Sequence, residues 1–269
     1  MPNYVKHIVS LSGKAKAVAE LVAFAQNGEL LLDFNKIIPM PKELEGTVSP
    51  QRIISEAEYK KEMKRIASGD LTPMEKAYGL GIGITQKLSN QYKLKYGADN
   101  WYDWKIENWG TKWGVGECEF EDNRYTFDTA WSTPVKIFEA LSKMFKTVSI
   151  RVQFADEDFG QNVGEYTLLG GVCVKENIPE GGSDEALEMA LGIRDDEYMI
   201  TDYLAELNDK QLDESYAKSL IRMAHKKGKL INEYPVKVLN TLLEMAVADE
   251  QYERAEEIKI IIELSKKSV

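Results

Sequence analysis

The stretch NWYDWKIENWGTKWGVGECEFEDNRYTFDTAW, Asn100 to Trp131, holds all five tryptophans of the 269-residue chain. Trp is the largest apolar side chain and keeps one N–H that needs a partner when buried, so this block marks a wide packed surface. Trp104, Ile106 and Asn108 alternate with Lys105, Glu107 and Trp109, and that period of two predicts a half-buried strand. Gly110, Gly114 and Gly116 then interrupt it, placing Trp109 and Trp113 beside a turn or bulge. From Glu117 to Thr129 the pattern is a hairpin. Cys118, Phe120, Tyr125, Phe127 and Thr129 are apolar or β-favouring on either side of the turn residues Glu121-Asp122-Asn123, which predicts aromatic cross-strand pairs. Thr133 as N-cap and Pro134 at the first helical position open a helix.

Working outward, Tyr4 to Leu11 is a first strand. Ala15 to Ala25 follows as an amphipathic helix stopped by Asn27-Gly28, and Leu30 to Ile38 is expected to be a second strand. Residues 41–98 turn polar and helical and are expected to form an insertion, with a capping box at Thr72-Pro73-Met74-Glu75. Pro134 to Phe145 is amphipathic, Val148 to Phe154 is strand-like, and Tyr166 to Val174 adds a short strand. The order β-α-β, insertion, β-hairpin, α, β is that of a split βαβ fold. The fold class expected is α+β, a ferredoxin-like sheet with a helical insertion. An all-α C-terminal region follows it.

The blocks NWYDWKIENWGTKW, FDTAWSTP and GEYTLLGG resemble the YubB-like proteins of bacteriophages and plasmids. That resemblance covers roughly the first two-thirds of the chain. It implies a ferredoxin-like core and a mobile-element association, and it brings no catalytic residues.

Ile178-Pro179-Glu180-Gly181-Gly182-Ser183 is the clearest linker, because Pro and paired Gly resist both helix and ladder. It separates a domain of residues 1–177 from a helical region of residues 183–269. Within the latter, successive short helices are expected through Met223, and a terminal hairpin over residues 236–266. The run from Leu242 to Ile258 is similar to the UVR-type helical hairpin of nucleotide-excision repair subunits and protease adaptors. It departs from that family at Ile258-Lys259-Ile260, where Leu-Arg-Asp is usual, and a plain two-helix packing unit is the preferred reading.

Charge narrows the function. The net charge of −10 divides into +3 over residues 1–100, −6 over 101–182 and −7 over 183–269. An acidic surface repels phosphate backbones, which disfavours nucleic acid over most of the chain. Lys60, Lys61, Lys64 and Arg65 are interspersed with Glu56, Glu58 and Glu62, as on a solvated helix face. No segment has the 18 consecutive apolar residues of a membrane span, and no secretory leader is recognisable. Cys118 and Cys173 are expected to be small buried thiols in a reducing, cytoplasmic setting.

Catalytic constellations are thin. His7 and His225 lie far apart without metal-ligand spacing, and both are expected to be structural. Gly79-Leu80-Gly81-Ile82-Gly83 lacks the spacing of a phosphate loop and reads as a helix-to-helix turn. Asp156 to Asn162 lacks the spacing of a calcium loop. No cofactor, metal or catalytic residue is expected.

The reading preferred is a non-enzymatic protein-interaction or regulatory module. Its candidate contact residues are Trp101, Tyr102, Trp109 and Trp113 of the Trp block, with Tyr252 and Ile260 of the terminal hairpin, the latter through self-association or a protein partner. One alternative is a single-strand nucleic-acid binder that stacks bases on an aromatic sheet. The other is an enzyme with a small-ligand pocket near Trp101 and Trp113.

Overall fold

The computed structural model describes residues 3–194, 236–248 and 252–267. The chain divides into two compact units, residues 1–157 with 165–177, and residues 158–164 with 178–269.

The first unit is built on β1 (Tyr4–Ser12), α1 (Ala15–Ala25), α2 (Phe34–Ile37), α3 (Glu56–Ala67), α4 (Pro73–Tyr78), α5 (Gln86–Tyr96) and α6 (Trp101–Trp109). It continues with β2 (Cys118–Glu121), β3 (Arg124–Ala130), α7 (Val135–Met144), β4 (Ser149–Asp156), β5 (Val163–Leu169) and β6 (Val172–Asn177). The six strands form one sheet in the order β2-β3-β1-β4-β5-β6. β1 lies antiparallel between β3 and β4, with His7 opposite Phe127 on one side and Phe154 on the other. The first four strands of that order, with α1 and α7 as the crossover helices, are a ferredoxin-like fold.

Alternation explains the layer. Val5, His7, Val9 and Leu11 of β1 are buried, whereas Tyr4, Lys6, Ile8 and Ser10 between them are half-buried. The buried side shares one core with Val18 and Leu21 of α1 and Ile137, Phe138 and Leu141 of α7. The hairpin is as expected: Asp122 and Asn123 take positive φ of 50° and 60°, the geometry of a two-residue turn that matches strand twist, and Phe120 packs on Tyr125 at 4.5 Å.

Two expected strands are helical. Leu30 to Ile38 is not a strand: the Asp33 carboxylate accepts from the Asn35 N–H and caps α2, which buries Phe34 and Ile37 at helical spacing. Trp104 to Trp109 lies within α6. Asn100 caps that helix by accepting from the Asp103 N–H, and Gly110 ends it in the left-handed conformation at φ 84°. The second strand of the ferredoxin-like unit is therefore β2, and helices α2 to α6 intervene between α1 and β2. The expected single strand Tyr166 to Val174 is instead the β5–β6 hairpin, turned through Gly170 and Gly171 at φ 62° and 84°.

Gly79 to Gly83 leaves α4 and runs extended, with Ile82 bridged to Thr47 and Ile84 to Ile53. A side chain at Gly83 would meet the Arg52 carbonyl at 2.8 Å, so glycine is required there by close backbone approach. The capping box at Thr72 and Glu75 is formed, and Glu75 also binds Arg65 through both carboxylate oxygens.

Cys118 is half-buried and Cys173 is exposed, which corrects the expectation of two buried thiols. They stand on β2 and β6, the opposite edges of the sheet, and both are free. No helix among the described residues is long and apolar enough to cross a membrane.

The second unit contains α8 (Asp184–Arg194), α9 (Val236–Ala248) and α10 (Tyr252–Lys267). Phe159 is buried, and Gly160 approaches Leu187 of α8 so closely that a side chain there would clash at 2.4 Å. α9 and α10 pack on each other and bury Leu239, Ala246, Ala255, Ile258 and Ile262. The short helices expected between α8 and α9, and His225 with them, lie outside the described residues.

Candidate functional site

The tryptophans divide by depth. Trp104 and Trp109 are buried in the core, meeting edge to face at 6.0 Å, and Phe34 packs on Trp109 at 5.9 Å. The Trp109 indole N–H donates to the Ile38 carbonyl at 2.9 Å. Trp109 is thus a core residue, which corrects its assignment to a contact surface. Trp101, Tyr102 and Trp113 are half-buried, and Trp131 is 43% exposed. None of these rings lies on a strand of the sheet. Of the strand aromatics, Tyr125, Phe127, Phe154 and Tyr166 are buried, and Tyr4 and Phe120 are half-buried.

Two lysines stand among the surface rings. Lys105 is four residues from both Trp101 and Trp109, neighbouring positions on a helix, and its ammonium lies 5.2 Å and 4.8 Å from their ring centres. Burial between these rings pushes the Lys105 ammonium below its usual pKa. The Lys112 ammonium lies 4.1 Å from the centre of Trp113, 5.1 Å from Trp131 and 5.9 Å from Tyr102.

The loop that carries Lys112 and Trp113 is tied to the end of β3. The Thr111 hydroxyl, fully buried, donates to the Ala130 carbonyl at 2.9 Å, and Ser132 donates to the Gly110 carbonyl. Trp131 itself takes φ 65°, a region bulky residues rarely adopt, while its N–H donates to the Asn3 carbonyl at 2.9 Å. The backbone on both sides of the cluster is fixed by these contacts.

Beside the cluster, an open cleft of about 440 Å³ is lined by Gln51, Ser89, Lys93, Asp99, Tyr102 and Asp103 among others. Asp99 is buried and receives Ser89 Oγ at 2.6 Å, Asn100 Nδ2 at 3.1 Å and Lys93 Nζ at 3.1 Å. Burial works to raise the Asp99 carboxyl, but the hydrogen bonds from Ser89, Lys93 and Asn100 outweigh it and hold it below the usual carboxylate range. An ionised, fully engaged carboxylate anchors the start of α6 and is no proton donor at neutral pH. Among the described residues no group of three His, Cys, Asp or Glu is placed to hold a metal ion.

His7 is a core residue. Its ring stacks on Phe127 at 5.0 Å, Nε2 meets Thr133 Oγ1 at 3.2 Å, and burial lowers its pKa from 6.5 to about 3. Thr133, expected to cap α7, spends its hydroxyl on this histidine instead.

Sequence reasoning singled out Trp101, Tyr102 and Trp113, which the structure brings to one region, but it missed Lys105, Lys112 and Trp131 as members. The spacing of four residues from Trp101 to Lys105 and from Lys105 to Trp109 is the signal for the first. Tyr252 and Ile260 lie on α10, 67% and 52% exposed.

Residues 108–201 match the family model described as the ferredoxin-like domain in Api92-like protein. The match takes in the end of α6, strands β2 to β6 and helices α7 and α8. A crystal structure of the protein api92 from Yersinia pseudotuberculosis aligns with 68% of this chain and 100% of its own, at 11% sequence identity and a TM-score of 0.39. No curated protein matches the chain.

Proposed function

We propose that this chain is a non-enzymatic, cytoplasmic protein-interaction or regulatory module of a mobile genetic element, and that it binds its protein partner through the Trp101–Tyr102–Trp113–Trp131 face. The observation that carries this reading is the division of the tryptophans. Trp104 and Trp109 suffice for the core, yet four large rings are kept at the surface around Lys105 and Lys112. Trp and Tyr supply most of the energy at the centres of protein interfaces, because they bring large rigid area at low entropic cost. The mobile-element setting rests on the resemblance of the Trp block and of GEYTLLGG to the YubB-like proteins. A second contact, between copies of the chain, uses Ile260 and Tyr252 of α10.

The test is affinity capture from a host extract with the native chain and with a Trp113→Ala/Trp131→Ala variant whose circular dichroism is unchanged. A specific protein held by the first and lost by the second supports the reading. Equal capture by both removes it.

A second reading has one observation in its favour. Lys112 stands beside the exposed Trp131 and the half-buried Trp113, and Lys105 beside the half-buried Trp101, an arrangement on which unpaired bases stack while the phosphates are neutralised. Fluorescence anisotropy with labelled single-stranded oligonucleotides at two salt concentrations separates the two. Salt-sensitive binding that is lost on Trp113→Ala would favour nucleic acid.

A further inference from the structure

We infer that Tyr102, Trp113 and Trp131 form a cage for a methylated ammonium group, and that Lys112 fills this cage as an internal stand-in when no ligand is bound. The inference rests on reading these rings as a contact face, and it names the chemistry that the face recognises.

Three aromatic rings within 6 Å of one cation exceed what a surface lysine ordinarily meets, since a single ring at that distance already constitutes a cation–π contact. The three come from separate parts of the chain: Tyr102 from α6, Trp113 from the following loop, and Trp131 from the end of β3. The bonds Thr111 to Ala130 and Ser132 to Gly110 join the last two, and Trp131 is held at positive φ by its N–H bond to Asn3. A backbone held in a rarely populated region at an exposed aromatic is a feature that surrounding structure must enforce. Here it presents the Trp131 ring to the cation.

The chemistry of the lining selects the ligand. A primary ammonium carries three N–H donors, and among the described residues no carboxylate or carbonyl accepts from Lys112 Nζ. The ring faces therefore offer a cation attraction, and the Tyr102 hydroxyl is the one hydrogen-bond acceptor that the three side chains carry. A quaternary ammonium has no donors to satisfy and is only weakly hydrated, so it loses less on entering such a site than the lysine does. Lys112 is half-exposed on a flexible four-carbon stem, so its side chain swings into solvent without disturbing Thr111, which is fully buried. Being tethered, it competes with any external cation, as a ligand at high effective concentration does.

Titration calorimetry with tetramethylammonium chloride, against sodium chloride at equal ionic strength, tests this on three proteins: the native chain, Lys112→Ala, and Lys112→Ala/Trp131→Ala. The expected result is binding by Lys112→Ala at least tenfold tighter than by the native chain, and loss of at least tenfold on adding Trp131→Ala. Lys112→Gln, which keeps the stem and removes the charge, serves if the alanine variant does not fold. A folded, uncharged variant that binds tetramethylammonium no better than the native chain overturns the cage. Two further arms distinguish sources, since a trimethyl-lysine peptide that outcompetes choline points to a protein tail and the reverse order to a small molecule. Absence of binding to all three cations also overturns it. Capture of a protein partner through Trp113 and Trp131 without any ammonium binding would remove the cage and leave the contact face standing.

Discussion

The Trp109 indole N–H donates to the Ile38 carbonyl at 2.9 Å, which fastens α6 to the segment following α2. This bond satisfies the one polar atom of a buried ring that also packs edge to face on Phe34 and Trp104 and carries the Lys105 ammonium over its face. Trp109→Phe keeps most of the apolar volume and strands the carbonyl, so it should cost about 1–3 kcal/mol. Trp104→Ala empties a large buried volume and should cost about 3–5 kcal/mol. Urea unfolding at neutral pH measures both, and two equally small losses would show that α6 is not part of the core.

His7 makes stability depend on pH. Burial keeps it neutral in the folded chain down to about pH 3, whereas the unfolded chain takes up a proton near pH 6.5. The unfolded state therefore binds more protons between these values. Stability is whole above about pH 6.5 and falls as pH drops toward 3, by at most about 1.4 kcal/mol per unit. His7→Phe should flatten that slope, and urea midpoints at pH 4.5 and 7 for both proteins check it. An unchanged difference between the two pH values would assign the slope to other groups.

Self-association should run through α10. Ile258 and Ile262 are buried against the helical hairpin, while Ile260 and Tyr252 remain exposed on the same helix. Ile260→Glu places a charge in any contact made there and should return the chain to monomer with the fold unchanged, as judged by light scattering and circular dichroism. A native chain that is already monomeric at micromolar concentration would refute the proposal.

Residues 1–177 should fold without the remainder. The ferredoxin-like sheet carries its own core, from Val5 and Val9 to Phe138 and Val152. A cooperative melt of the fragment with dispersed amide resonances is the expected outcome, and aggregation would show that its strands need a cover from elsewhere.

The hairpin and the capping box at Thr72 were legible in the sequence because each is decided locally. Asp122-Asn123 tolerates left-handed φ, and Thr72 with Glu75 satisfies two helix-start donors by itself. α6 was misread because Trp104, Ile106 and Asn108 happen to alternate over a window too short to separate period two from period 3.6. Its flanks, the capping Asn100 and the stop Gly110, carried the correct answer. Leu30 to Ile38 failed likewise, where Asp33 interrupts an apolar run to cap a short helix. The same error hid part of the site. On a strand Lys105 shares a face with Trp101 and Trp109 but stands about 13 Å along the chain from each, whereas on a helix the spacing of four is about 6 Å of rise and brings it over both rings. Trp131 depends on a backbone conformation and a contact to Asn3 that local pattern does not encode.

The proposed partner face is the set of rings around Lys112: Tyr102, Trp113 and Trp131. Amide hydrogen exchange on the isolated complex, compared with the free chain, tests it most directly. New protection is expected over residues 110–116 and 131–133, with the half-buried sheet face of Tyr4, Lys6 and Ile8 unchanged. Protection confined to that sheet face, with residues 110–116 and 131–133 exchanging as in the free chain, would contradict it.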